Sequence, residues 1–266
     1  MGAPLVFFLL LQAATSPAVE RFQAGLKLSA QGDHGGARRS FEEAWDMGYR
    51  DAYVLYSLIE EDRAAGDKPS GMRHFQLFLE RFSESPWLHV LYGNAHVLKN
   101  EDEEAGKEYE EALRLNPRLP GVNFRLGYIA FRNNEHTRAE GYFRQELQLS
   151  PRSSDASLFL AETLRQLGRQ EEAIPYYRKA IALDPRTELA YRALVAALTG
   201  KGDLAGAAEV LQQAEEVFPS DASFPAQLAR VLTKLHRDEE ARLQQARFKT
   251  LMEQQRLREK KVEAPR

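Results

Sequence analysis

The stretch PGVNFRLGYIAFRNNEHTRAEGYFRQELQLSPRS, residues 120–153, decides the fold. Val122, Leu126, Ile129 and Ala130 fall on one face of a first helix, at helical spacing. Asn133 and Asn134 interrupt that helix and suit its end and the following turn. Ala139, Phe143, Glu146 and Leu147 mark a second helix. Pro151 cannot continue it, because proline lacks the N–H and its ring collides with the preceding turn. The stretch therefore reads as one helix-turn-helix unit of 34 residues.

Working outward, the same unit returns in register. A small residue recurs every 34 positions, at Ala37, Gly71, Ala105, Ala139, Ala173, Ala207 and Ala241. Four residues later comes a bulky side chain: Phe41, Phe75, Tyr109, Phe143, Tyr177 and Leu211, then Gln245. Twelve residues before the small column stand Gly25, Ile59, Gly93, Gly127, Ala161, Val195 and Ala229, and in the middle copies Pro117, Pro151, Pro185 and Pro219 stand twelve after it. A fixed period of this length means one supersecondary unit stacked repeatedly. The frame gives repeats at 18–51, 52–85, 86–119, 120–153, 154–187, 188–221 and 222–255, followed by a polar end at 256–266. The small columns read as helix–helix seams, where a large side chain would hold two backbones apart.

This pattern resembles the tetratricopeptide repeat family over about 18–255. The likeness is strongest in 86–221, with runs such as Glu111-Ala112-Leu113-Arg114-Leu115-Asn116-Pro117 and Lys179-Ala180-Ile181-Ala182-Leu183-Asp184-Pro185. The first two repeats depart from it at Tyr49 and Ser83, where proline is expected, and at Asp62, an apolar position in the family. Gln245 in place of the ring suits an end cap that shows water a polar face. The resemblance implies an all-α fold, a right-handed α-α superhelix (solenoid) of about seven helix-turn-helix repeats. It also implies a non-enzymatic protein- or peptide-binding module whose first helices line a concave groove.

Mapped residue by residue, that groove would carry Tyr53, Tyr56, Trp87, Asn94, Phe124, Tyr128 and Phe131, then Arg132, Arg165, Arg192 and Arg230. An aromatic stretch thus passes into a mostly basic one. Aromatic and arginine side chains dominate binding hot spots. A peptide with an apolar anchor followed by acidic residues or a free carboxylate would match this order. Arg132 and Arg165 occupy equivalent places in successive repeats, so their charges would lie close together unless an anion separates them. Asn94 matches one place of the carboxylate clamp of a family subgroup, but Val90 and Arg125 stand where that clamp wants lysine and asparagine. The clamp activity is not carried over.

The formal net charge is −3, which gives no global drive toward nucleic acid or anionic membrane. There is no cysteine, hence no disulfide and no thiolate site. His89 and His96 share a helical face without a third ligand at metal spacing, and the acidic run from Glu101 reads as a solvated helix face. No cofactor, metal, catalytic constellation or small-molecule substrate is expected.

Residues 1–17 read as an export leader: the apolar run Leu5–Leu11, then Ala13, Ala14, Ser16 and Ala18, after any of the last three of which cleavage would be possible. No integral membrane span is expected after processing, and the location expected is periplasmic or secreted, serving an envelope or secretion assembly. The alternatives are an uncleaved anchor and an apolar helix covering the end of the first repeat. Residues 237–262 read as a long closing helix. Two further readings of function stay open: a scaffold that self-associates through this helix, and a regulatory arm of an enzyme complex.

Overall fold

The computed structural model describes residues 16–263, with side chains to Arg258. The leader reading at 1–17 falls outside them except for Ser16 and Pro17. The described residues are all-α, with two compact units, one ending at Pro117 and one starting at Arg118.

The first unit holds three hairpins: α1 (Pro17–Ala30) with α2 (His34–Asp46), α3 (Ala52–Ala65) with α4 (Lys68–Phe82), and α5 (Pro86–Leu98) with α6 (Asp102–Leu115). The second holds four: α7 (Val122–Arg132) with α8 (His136–Leu149), α9 (Ser154–Gln166) with α10 (Gln170–Leu183), α11 (Glu188–Lys201) with α12 (Leu204–Val217), and α13 (Ser223–Lys234) with α14 (Asp238–Glu263).

Each hairpin turns at a residue in the left-handed region. These are Gly32, Gly66, Asn100, Asn134, Gly168, Gly202 and His236, with φ between 57° and 85°. Glycine and asparagine reach that region at little cost, which ends the first helix and reverses the chain. The second helix then starts on a fixed cap position. Asp33, Asp67 and Asp203 accept the amide three residues on, at 2.9, 3.1 and 2.9 Å. Helix α7 is capped from a distance instead. Glu146 of α8 is buried, and its carboxylate accepts the amides of Gly121 at 3.0 Å and Phe124 at 3.4 Å.

Within hairpins, a ring of the second helix lies flat on a glycine of the first. A Cβ added to Gly25, Gly93 or Gly127 would stand 2.5, 2.4 or 2.7 Å from Phe41, Tyr109 or Phe143. The alanines of the main small column are fully or almost fully buried beside these rings. In the second unit the seams merge into one continuous core from Ala130 to Ala241.

Gly127→Ala therefore forces the Phe143 ring aside and costs about 1–3 kcal/mol, less the helix-propensity gain of about 1 kcal/mol. Gly141→Ala, whose Cβ meets nothing within 4 Å, keeps only the gain. Urea unfolding of the two variants should move the midpoint in opposite directions. A second expectation concerns acid. Ser70, by its hydroxyl and amide, and then Arg38 hold Asp67 at about 2, below the ordinary 3.8. Its stabilising part is complete above pH 3.8 and fades as pH falls through about 2. Asp67→Ala should lower stability at neutral pH and flatten that acid limb in a pH series of melting curves.

Candidate functional site

Within each unit, first helices of successive repeats run side by side, so residues at equivalent places meet. In the first unit this brings the expected groove rings onto one another. Tyr53 stacks on Trp87 at 4.4 Å between centroids and 13° between planes, and Tyr56 lies 4.6 Å from the same indole. Phe22 adds an edge contact to Tyr53 at 5.4 Å. Tyr56 and Trp87 are buried and Tyr53 is half-buried. These rings hold α3 to α5 more than they line an open cleft. Asn94 is likewise engaged: its Nδ2 donates to Glu60 at 3.0 Å, and its Oδ1 accepts from the Tyr109 hydroxyl at 2.7 Å.

In the second unit, Phe124, Tyr128 and Phe131 converge on Phe159 of α9, at 5.7, 5.1 and 5.6 Å. Sequence reading did not single out Phe159, although it lies on the first helix of the next repeat and faces the same seam. Tyr128 alone of the three is exposed, at 38%. The charge argument for Arg165 changes as well. Its Nε and Nη2 donate to Glu162 at 3.0 and 2.9 Å, so the anion beside it is the protein's own. Glu162 also accepts from the Tyr177 hydroxyl at 2.5 Å. Burial first, and that bond next, push the Tyr177 phenol above its usual range. Arg132 is exposed at the end of α7. Arg192 donates to Glu188 at 2.6 Å, Asp221 at 2.7 Å and Ser223 at 2.8 Å, and covers the Phe224 ring at 4.8 Å.

Arg230 is different. It is exposed on α13 and, with Arg192 and Lys234, surrounds a depression of about 470 Å³ between α11 and α13. The floor is made of Val195, Ala196, Thr199, Gly200 and Val231, and Gln227 stands at the edge. Its origin is plain in the sequence. The ninth place of a repeat carries Glu60, Asn94, Tyr128 and Glu162 in the four copies before this one, but Ala196 here; the thirteenth carries Leu98, Arg132 and Gln166 in the three before it, but Gly200 here. Short side chains at both places leave the space. Arg192 is held in position by its two carboxylates, whereas Arg230 and Lys234 reach no acidic side chain among the described residues. The pocket can thus receive an anionic group over an apolar floor.

No group of three metal-ligating side chains occurs among the described residues. Four histidines pair singly with carboxylates, His34 with Glu61, His74 with Asp62, His89 with Glu108 and His96 with Glu101, at 2.6–2.8 Å. No described helix is long and apolar enough to cross a membrane.

Comparison with known proteins fits this architecture. Residues 124–186 match a family model described as the tetratricopeptide repeat, and residues 93–134 match a second, described as the TPR repeat. No curated protein sequence matches the chain. Among solved structures, YrrB, described as a TPR protein with an unusual peptide-binding site, is 20% identical over 66% of this chain and 91% of its own, with a TM-score of 0.57. MamA from Desulfovibrio magneticus RS-1 is 21% identical over 65% of this chain and 96% of its own, with a TM-score of 0.54. A thermophilic TPR protein of Thermus thermophilus is 23% identical over 68% of this chain and 99% of its own, with a TM-score of 0.51. Identities this low express a shared fold. Residues 93–186 thus match models of the tetratricopeptide repeat, and the described hairpins share the fold of solved proteins of that kind.

Proposed function

We propose that the protein is a non-enzymatic adaptor that captures an acidic segment of a partner protein in the α11–α13 pocket. One observation carries the reading: Arg230 and Lys234 flank an apolar floor with no acidic partner among the described residues, while Arg165 and Arg192 are paired. An aspartate or glutamate of the bound peptide would complete the set, and its neighbouring apolar side chain would cover Ala196 and Gly200. Charge-assisted hydrogen bonds of this kind are strong when partly shielded from water. Tyr128, exposed on the same unit, offers a ring to an apolar anchor. The peptide-binding site described for YrrB supports the class of ligand, though not its sequence.

We further propose that the adaptor is exported and serves an envelope or secretion assembly. The apolar run Leu5–Leu11 followed by small residues supports this. Ser16 accepts the Val19 amide as the cap of α1, Pro17 opens that helix, and Ala18 is buried in it. Cleavage after Ala14 would leave this start intact, whereas cleavage after Ala18 would remove it.

Arg230→Glu with Lys234→Glu should weaken binding to acidic members of a short-peptide array about tenfold or more, with the helical spectrum unchanged. Gly200→Phe should do the same by filling the floor. Equal binding by parent and variants would refute the pocket. For export, N-terminal sequencing of the protein from its native cell should read Thr15 first; an intact Met1 in the mature protein would refute the leader.

A further inference from the structure

A second opening lies in the first unit, on helices the peptide reading does not use. The Tyr53–Trp87–Tyr56 stack closes one end of the seam between α3 and α5. Toward the other end α5 parts from α3 and α4, tied by the Asn94–Glu60 bond and an edge contact of Phe75 with Tyr92 at 6.5 Å. The result is a cleft of about 450 Å³ walled by Ile59, Phe75, Leu91 and Ala95. Phe75 shows the effect directly: Phe41, Tyr109, Phe143 and Tyr177 at its equivalent places are buried, and it is half-buried. Met72 and Leu98 form the lip, 69% and 67% exposed. Exposed apolar side chains gathered on a concave wall mark an interaction surface.

Charge says what covers it. Leu98 is followed by Lys99 and Asn100, and then by Glu101 and the acidic first turn of α6, Asp102, Glu103 and Glu104. The sequence through Pro117 carries 12 Lys and Arg against 19 Asp and Glu, and from Arg118 onward 24 against 20. The rim's own ions are mostly paired, Arg63 with Glu60 and Asp67 with Arg38. A helix with an apolar stripe and a net excess of basic side chains is therefore the complementary shape, and the chain supplies one. Helix α14 is 26 residues long, whereas α13, against which it packs, has 12. Its far half places Phe248, Met252 and Arg256 on one face at helical spacing, with Lys249 and Arg258 exposed nearby. Met252 is 45% exposed.

We propose that the far half of α14 from a second copy of this chain docks on the α3–α5 cleft. Phe248 and Met252 enter between Met72 and Leu98, and the basic side chains face the acidic start of α6. The two surfaces differ, so the contact is head to tail and can repeat from copy to copy. It is independent of the α11–α13 pocket, and either can fail without the other.

The test is light scattering on the full chain over a range of concentration and salt. The average mass should rise above that of the 30.2 kDa monomer with concentration at low salt, and fall back as salt screens the charges. Met72→Glu with Leu98→Glu alters exposed positions only and should weaken self-association at least tenfold. Arg256→Glu with Arg258→Glu should do the same from the other side. Mixed together, the two variants retain one working interface between them, so dimers should form and nothing larger. A parent that stays monomeric throughout, variants that assemble like the parent, or a mixture that forms no dimer would each overturn the proposal.

Discussion

A ring laid on a residue with no side chain is the contact on which these hairpins depend. Phe41 on Gly25, Tyr109 on Gly93 and Phe143 on Gly127 leave no room for even one more carbon. The contact sets how closely two helices approach, and that spacing fixes where the next hairpin can pack. Burial of the ring supplies much of the stabilising area, on the order of 25 cal/mol per Å². The hydroxyl of a tyrosine in the same column needs a partner as well, which draws a polar residue onto the first helix. Packing, hydrogen bonding and the choice of exposed residue are therefore linked inside one hairpin. Where Ile59 replaces the small residue opposite Phe75, the ring is left half-buried and lines a cleft.

The all-α architecture was legible in the sequence, because small residues, rings and helix breakers return at one spacing. The turns were only half legible. Asn134 stood out in its own repeat, but the full series from Gly32 to His236 shows in the backbone as a line of left-handed residues. Glycine, asparagine and histidine look unlike as letters, and what they share is a dihedral angle. Glu146 was read as part of a second helix; its role as a cap for α7 depends on a contact far along the chain.

The candidate site was less legible. Position in the repeat placed Tyr53, Trp87, Phe124 and Arg165 on first helices, but position does not say what a side chain touches. Equivalent rings one repeat apart are close enough to stack, so Trp87 covers Tyr53. Arg165 finds Glu162 within its own turn, at a spacing visible in the sequence that went unused. The α11–α13 pocket is defined by what Ala196 and Gly200 lack, and a missing side chain attracts no notice in a search for charged and aromatic ones. Arg230 was named for its charge, and the space beside it shows only in the structure.

The bonds from Tyr109 to Asn94 and from Tyr177 to Glu162 have an evolutionary consequence. In each, a core ring reaches through the hairpin to the residue at the ninth place of the first helix. Exchanging Asn94 or Glu162 for an apolar residue would strand a phenol in the interior, so drift at the ninth place is tied to drift in the core. Tyr128 and Ala196 sit over Phe143 and Leu211, which make no such demand. Repeats without a tyrosine in that column can change their ninth place by single substitutions, and the two with Tyr109 and Tyr177 only by coordinated pairs.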